Sequence, residues 1–209
     1  MEVVAVIDFE TTGLSPAQGD RATEIAAVIV EDGRIVDRYQ SLMNTGVRIP
    51  AFIEALTGIS NTMIRQAPPA AEVMSAVADF VGDYPLVAHN AAFDCKFWDA
   101  ELERIERRRR QDFVCSLLLS RRIFPLAPSH KLGALVDYVQ LPFAGRYHRA
   151  LADAEMTASL LIRLEAELRG HHRVGDVSVD LLRRIQRAPK SQLAKCLAGL
   201  PDLRQHHAR

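Results

Sequence analysis

Net charge is the first thing this 209-residue chain lacks: 26 Lys and Arg balance 26 Asp and Glu. A whole-protein positive field therefore cannot gather nucleic acid, and any such binding must come from local patches. Cysteine is scarce as well. Cys95, Cys115 and Cys196 are far apart, odd in number and outside any C-x-x-C spacing. That excludes a disulfide framework and a zinc site, and points to a reducing compartment. No apolar run is long enough to span a bilayer, and the opening MEVVAVIDFE has no basic n-region of a secretory signal. A cytoplasmic protein with no membrane partner is expected. Internal repeats and long low-complexity segments are missing too. What is present is an ordinary globular composition, 48% apolar and 25% charged. It suffices for one substantial core with at most a small appendage.

The first third reads as strands: Val3–Phe9, then Thr23–Glu31, then Arg34–Asn44 after the hairpin signal Asp32-Gly33. A three-stranded antiparallel meander follows from that order. Short helices are predicted over Pro50–Leu56 and Asn61–Arg65, and Pro68-Pro69 introduces a helix over Ala70–Val81. Leu86–Ala88 and Phe113–Cys115 are short buried strands. A long helix is predicted over Ala91–Arg110, and others over Leu117–Ile123, Lys131–Tyr138 and Ala150–Leu168. Three strands followed by βα repeats argue for an α/β protein, a mixed sheet with helices on both faces. The polar stretch Gly170–Asp176 reads as a hinge. Two weak helical patterns split at Pro189 follow it, so the chain divides into residues 1–169 and a helical C-terminal tail, 170–209.

Residues 8–13 read DFETTG, directly after an apolar strand. Side chains alternate along a strand, so Val4, Val6, Asp8 and Glu10 share one face. Both faces begin apolar, which makes the strand central and puts both acids at its C-terminal end, where open α/β sheets place their sites. Asp94, in HNAAFD, opens a helix; steps of three and four from it reach Phe97, Trp98, Leu102 and Ile105. Asp153 heads a face through Thr157, Leu160 and Leu164 in the same way. His148 lies five residues before Asp153, a rotation of ~140° on a helix. The two converge only if His148 sits on the incoming loop.

Four inward carboxylates are costly unless a cation pairs with them, and no Lys or Arg is predictably placed among them. Lys96 and Arg149 need not point inward. Such an oxygen-rich set suits two divalent ions, Mg²⁺ or Mn²⁺, in the arrangement used for phosphodiester displacement. A nearby imidazole could take the proton from an attacking water.

DFETTG, HNAAFD and HRALAD (His148–Asp153) also resemble, in order, the three motifs of the DEDDh 3′–5′ exonucleases, with closest likeness to the proofreading epsilon subunit of bacterial replicative DNA polymerase and its free-standing relatives. ALTGIS (Ala55–Ser60) and SHKLGALVDY (Ser129–Tyr138) are similar as well. The resemblance covers about residues 1–168. It implies an RNase H-like fold, a five-stranded mixed sheet flanked by helices, here with a small helical C-terminal appendage. It implies that Asp8, Glu10 and Asp153 hold one metal ion, that Asp8 and Asp94 serve a second, and that His148 is the general base. The product would be a nucleoside 5′-monophosphate from a 3′ end. Thr11, Thr12, Gly13 and Leu14 would line the terminal nucleotide, with Thr57, Asn90 and Phe93 as further substrate contacts. Thr57 departs from the family, standing where the epsilon subunit commonly has His.

Other features carry less. The basic run Arg104 to Arg110 suits either a phosphate backbone or a solvated helix end. Arg121, Arg122, His130 and Lys131 border family-like segments and are better candidates for single-strand contact. Phe93, Trp98 and Tyr147 could stack on bases, although Trp98 at helical spacing fits a core. His171-His172 and His206-His207 could bind stray metal; polar, flexible segments are the plainer reading. The leading expectation is a metal-dependent 3′–5′ exonuclease on single-stranded DNA ends, with a DNA polymerase subunit as a candidate partner. RNA 3′ ends are one alternative substrate. A non-catalytic adaptor docking through residues 177–209 is the other reading.

Overall fold

The computed structural model describes residues 2–142 and 148–198. Tyr147, His206 and His207 lie outside the described residues. The sheet has five strands: β1 (Val4–Thr11), β2 (Ala22–Glu31), β3 (Arg34–Leu42), β4 (Leu86–Ala88) and β5 (Phe113–Cys115). Their spatial order is β3-β2-β1-β4-β5. β1–β2 and β2–β3 are antiparallel, while β1–β4 and β4–β5 are parallel. The meander closes through Asp32 and Gly33, with φ of 48° and 71°, the left-handed pair that a two-residue hairpin turn requires. The helices are α1 (Ala51–Thr57), α2 (Asn61–Gln66), α3 (Ala70–Val81), α4 (Ala92–Glu103), α5 (Ser116–Ile123), α6 (Leu132–Tyr138), α7 (Ala150–Gly170), α8 (Val179–Arg187) and α9 (Leu193–Leu197).

The alternation along β1 sorts two cores. Val4 and Val6 pack with β2 residues Ala26 and Val28 and with Leu160, Leu161 and Leu164 of α7. Ala5, Ile7 and Phe9 pack on the other side with Val73 and Val77 of α3 and Phe97 and Trp98 of α4. Trp98 is fully buried and belongs to that core. The expected mixed sheet with helices on both faces is therefore what the chain forms.

Two expectations fail. The helix read over Ala91–Arg110 ends at Glu103. Beyond it, the Ile105 and Arg107 amides both donate to the Leu102 carbonyl, and Glu106 is left-handed at φ 57°. Arginine is a good helix former, but here tertiary partners win. Arg107 pairs with Asp79 at 2.6 Å and Arg109 with Asp99 at 2.7 Å. The stretch read as a hinge, 170–176, is a packed turn. Val174 is buried and its amide donates to the Leu168 carbonyl, while Arg169 donates to the Gly175 carbonyl.

α8 continues that packing. Val179, Leu181, Leu182 and Ile185 are buried in the same core as α7. Gln186 also accepts from the Cys115 amide and donates to the Phe113 carbonyl, tying α8 to β5. Leu182→Ala should therefore cost about 2–5 kcal/mol, measured by urea denaturation. A loss under about 0.5 kcal/mol would mean that the segment is peripheral.

Candidate active site

β1 outruns its parallel neighbour. β4 pairs with it only at Ala5 and Val6, so Asp8 and Glu10 stand beyond the end of β4 on the open C-terminal edge. The chain leaves β4 through His89 and Asn90, the latter left-handed at φ 69°, and enters α4. Its first turn carries Asp94, only 3% exposed. On the other side, α7 begins at Ala150 and carries Asp153 in its first turn. His148 is on the incoming loop, exposed and left-handed at φ 62°, a conformation that a non-glycine residue holds only under local constraint. The constraint is visible: the His148 amide donates to the Asp153 carboxylate at 3.0 Å.

Asp8, Glu10, Asp94, Asp153 and His148 all line one pocket of about 250 Å³. Among the described residues, Glu10, His148 and Asp153 offer ligand atoms within 4.8 Å of one another. Thr11, Gly13, Leu14, Thr57 and Phe93 line the same pocket. Leu14 is 79% exposed at its rim. Two expected contacts are not in it. Thr12 is turned into its own loop, where its hydroxyl accepts from the Arg21 amide. Asn90 lines a neighbouring groove. Thr57 reaches the pocket, but its hydroxyl donates to the Ile53 carbonyl and accepts from the Ile59 amide; it closes the end of α1. Gly13 is required by a close approach: a Cβ there would lie 2.3 Å from the Asp20 carboxylate, which itself accepts from the Ser15 amide.

Burial makes every acid of the pocket reluctant to ionise, and repulsion from the other acids adds to it at Asp8 and Glu10. Asp8 is raised well above the usual carboxylate range, first by burial and then by the charges of Asp94, Asp153, Glu10 and Glu24. Glu10 is raised to about 8, by burial and then by Asp153 and Glu24, with Arg149 opposing. Asp94 is raised to about 7 by burial, although backbone amides hold it back. Asp153 is raised to about 6 by burial, opposed by its hydrogen bond from the His148 amide. Oxygen-only donors crowded in this way, with one partial counter-charge, fit divalent metal ions. Asp8, Glu10, Asp94 and Asp153 could hold them.

Glu24, His89, Ile53 and Leu56 were missed from the sequence. Glu24 stands opposite Glu10 in the β1–β2 register and is fully buried. It receives Arg149 Nη2 at 2.8 Å and Nε at 3.1 Å, and the Ala150 amide at 3.0 Å. The pair clamps the start of α7 to β2 and so positions His148 and Asp153. The acid in TEIAAVIVE was a visible signal, since it interrupts an otherwise buried strand. His89 lines the pocket, but it is no base. Burial first of all lowers it to about 4. It sits 2.9 Å from the Ser116 hydroxyl through Nδ1 and 3.0 Å from the His130 carbonyl through Nε2. The carbonyl can only accept, so Nε2 carries the hydrogen.

The chain matches the family model described as RNase_T, Exonuclease, over residues 5–161. It belongs to this exonuclease family. Among relatives, the exonuclease domain is 39% identical over 165 residues to "3'-5' exonuclease DinG" of Bacillus subtilis, covering 78% of this chain and 18% of that protein. It is 37% identical over 164 residues to "DNA polymerase III PolC-type" of Bacillus cereus, covering 78% of this chain and 11% of that one. The chain thus spans under a fifth of the length of either relative. Among solved structures it is similar to "Exonuclease X in complex with 5' overhanging duplex DNA", with TM-score 0.68 and 27% identity, covering 88% of this chain and 99% of that one. The nuclease domain of 3'hExo, a DEDDh family member, has TM-score 0.68 at 20% identity over 79% of this chain and 92% of that one, a likeness of fold. The resemblance to DEDDh 3′–5′ exonucleases and the RNase H-like fold both hold.

Two outcomes test the electrostatics. A carboxyl held above its unfolded value of about 4 binds its proton more tightly in the folded protein. That stability is present at low pH and is lost as pH climbs through about 6, 7 and 8, the values of Asp153, Asp94 and Glu10. Metal-free exonuclease should thus melt at lower temperature at pH 8 than at pH 5. Asp8→Asn should raise the pH 8 melting point, and Mg²⁺ or Mn²⁺ should stabilise the wild type more at pH 8 than at pH 5. Melting curves that ignore pH and metal would mean that the acids are not crowded. Separately, Arg149→Ala leaves buried Glu24 without its cation, with only the Gln40 side chain and the Ala150 amide as donors among the described residues, and should destabilise the fold by about 1–3 kcal/mol; chemical denaturation reads this directly.

Proposed function

We propose that this domain is a metal-dependent 3′–5′ exonuclease that removes nucleotides from single-stranded DNA ends as nucleoside 5′-monophosphates. One observation carries the reading: four carboxylates and one exposed imidazole from three distant segments line a single small pocket. Two divalent ions, Mg²⁺ or Mn²⁺, held by Asp8, Glu10, Asp94 and Asp153, would supply neutralising charge to the attacking and leaving oxygens. His148 takes a proton from the attacking water; the water oxygen bonds to phosphorus and the bond to the 3′ oxygen breaks. Arg149 and Glu24 act by fixing His148 and Asp153. Leu14, Leu56 and Phe93 give the terminal nucleotide apolar walls, and the backbone at Thr11 and Gly13 lies beside it. The modest pocket favours one terminal residue over a chain running through.

DNA as substrate is supported by the DNA named in the Exonuclease X complex and by the polymerase relatives. The same relatives support a DNA polymerase as partner. Residues 1–169 form the catalytic domain in this reading, and residues 170–198 are its helical extension. No helix among the described residues is long and apolar enough to cross a membrane, and Cys95, Cys115 and Cys196 are free. A cytoplasmic site of action completes the proposal.

The test is a time course on 5′- and 3′-labelled DNA and RNA oligomers of one sequence, with metal and with chelator. A ladder shortening from the 3′ end of DNA, lost with chelator and in Asp153→Asn, is the expected result. Faster loss of RNA would reassign the substrate. No mononucleotide from either polymer with either metal would favour the non-catalytic adaptor.

A further inference from the structure

Beside the catalytic pocket runs a second groove of about 490 Å³, lined by His89, Asn90, Leu117, Arg121, Ser129, His130, Lys131 and Leu132. His89 is common to both linings, so the groove borders the catalytic pocket. No acid lines the groove, although acids and bases are equal in number along the chain. Exposed Lys131 and half-buried Arg121 make no ion pair among the described residues. The floor is fixed, because His89 bridges the Ser116 hydroxyl and the His130 carbonyl, and the His130 ring is bonded in turn to the Phe124 carbonyl.

A larger basic surface exists elsewhere. A groove of about 1070 Å³ is lined by Lys96, Arg104, Arg107, Arg108 and Arg109. Its lining also contains Asp99 and Glu103, and Arg107 and Arg109 are already paired with acids. It shares no lining residue with the catalytic pocket. Arg122, a basic neighbour of the smaller groove, is likewise occupied, with its guanidinium donating to the Ala188 and Leu118 carbonyls. Among the described residues, free positive charge beside the catalytic acids therefore narrows to Arg121 and Lys131.

We infer that this acid-free groove binds the phosphodiester backbone of the cleaved strand immediately 5′ of the scissile bond, with Arg121 and Lys131 as its phosphate contacts. The inference rests on the exonuclease reading and adds the part of the substrate that this reading leaves unassigned. The groove holds the strand against the repulsion of four carboxylates next door. It makes a strand with several upstream phosphates a better substrate than a dinucleotide, which has none. Contacts of this kind track charge and ignore sequence.

Kinetics on a DNA dinucleotide and a single-stranded decanucleotide, with Mg²⁺ at several salt concentrations, test this. In Arg121→Ala/Lys131→Ala, KM for the decanucleotide should rise roughly tenfold with kcat little changed. The log–log salt dependence should flatten by about 1.4, two contacts at about 0.7 each for a single strand. The advantage of the long substrate over the dinucleotide should collapse. Arg121→Lys/Lys131→Arg should restore both the advantage and the salt slope, which separates charge from folding. A double variant with wild-type length and salt dependence overturns the inference. So does a defect confined to duplex ends, which would give the groove to the complementary strand. A wild type that cleaves neither substrate sinks the exonuclease reading itself.

Discussion

Like charges crowded at the end of one buried strand are the constraint on which the rest of this molecule depends. Asp8 and Glu10 leave the sheet on the same face, and Asp94 and Asp153 are brought to them by two separate helices. Burial pushes all four toward their protonated forms. Burial of each costs the fold stability once the group ionises, and such crowding of oxygen donors suits divalent cations as counter-charge. Nearby groups reduce the strain without removing it. Backbone amides hold Asp94 and Asp153 down, and Arg149 does the same for Glu10.

The scaffold meets this constraint by differences in element length. Because β4 stops early, the last residues of β1 have an open flank where the pocket forms. Because α4 and α7 both start at that edge, their first-turn acids lie where the helix dipole favours negative charge. The clamp between Glu24 and Arg149 sets where α7 begins. The extension after Gly170 joins the same core, with α8 packed against α5 and β5. The geometry of the candidate site therefore depends on how the core positions β1, α4 and α7.

Where sequence reasoning failed, tertiary partners had overridden a local preference. Arg107 to Arg110 have good helix propensity, yet pairing with Asp79 and Asp99 turns the chain back after Glu103. Gly170 to Asp176 is polar, but its one apolar side chain, Val174, enters the core and pins the turn. In each case the deciding group is remote in sequence or lies on the opposite side of the residue.

The sequence by itself determined the meander, a mixed sheet with helices on both faces, and the three acidic motifs with the face each acid takes. These follow from periodicities of two and 3.6 residues, which are local properties of the chain. Only the tertiary structure decided that Glu24 reaches Arg149 across 125 residues, that His89 is held between Ser116 and the His130 carbonyl, and which arginines remain free among the described residues. Pairing of charges depends on distances between segments, and no local pattern encodes those.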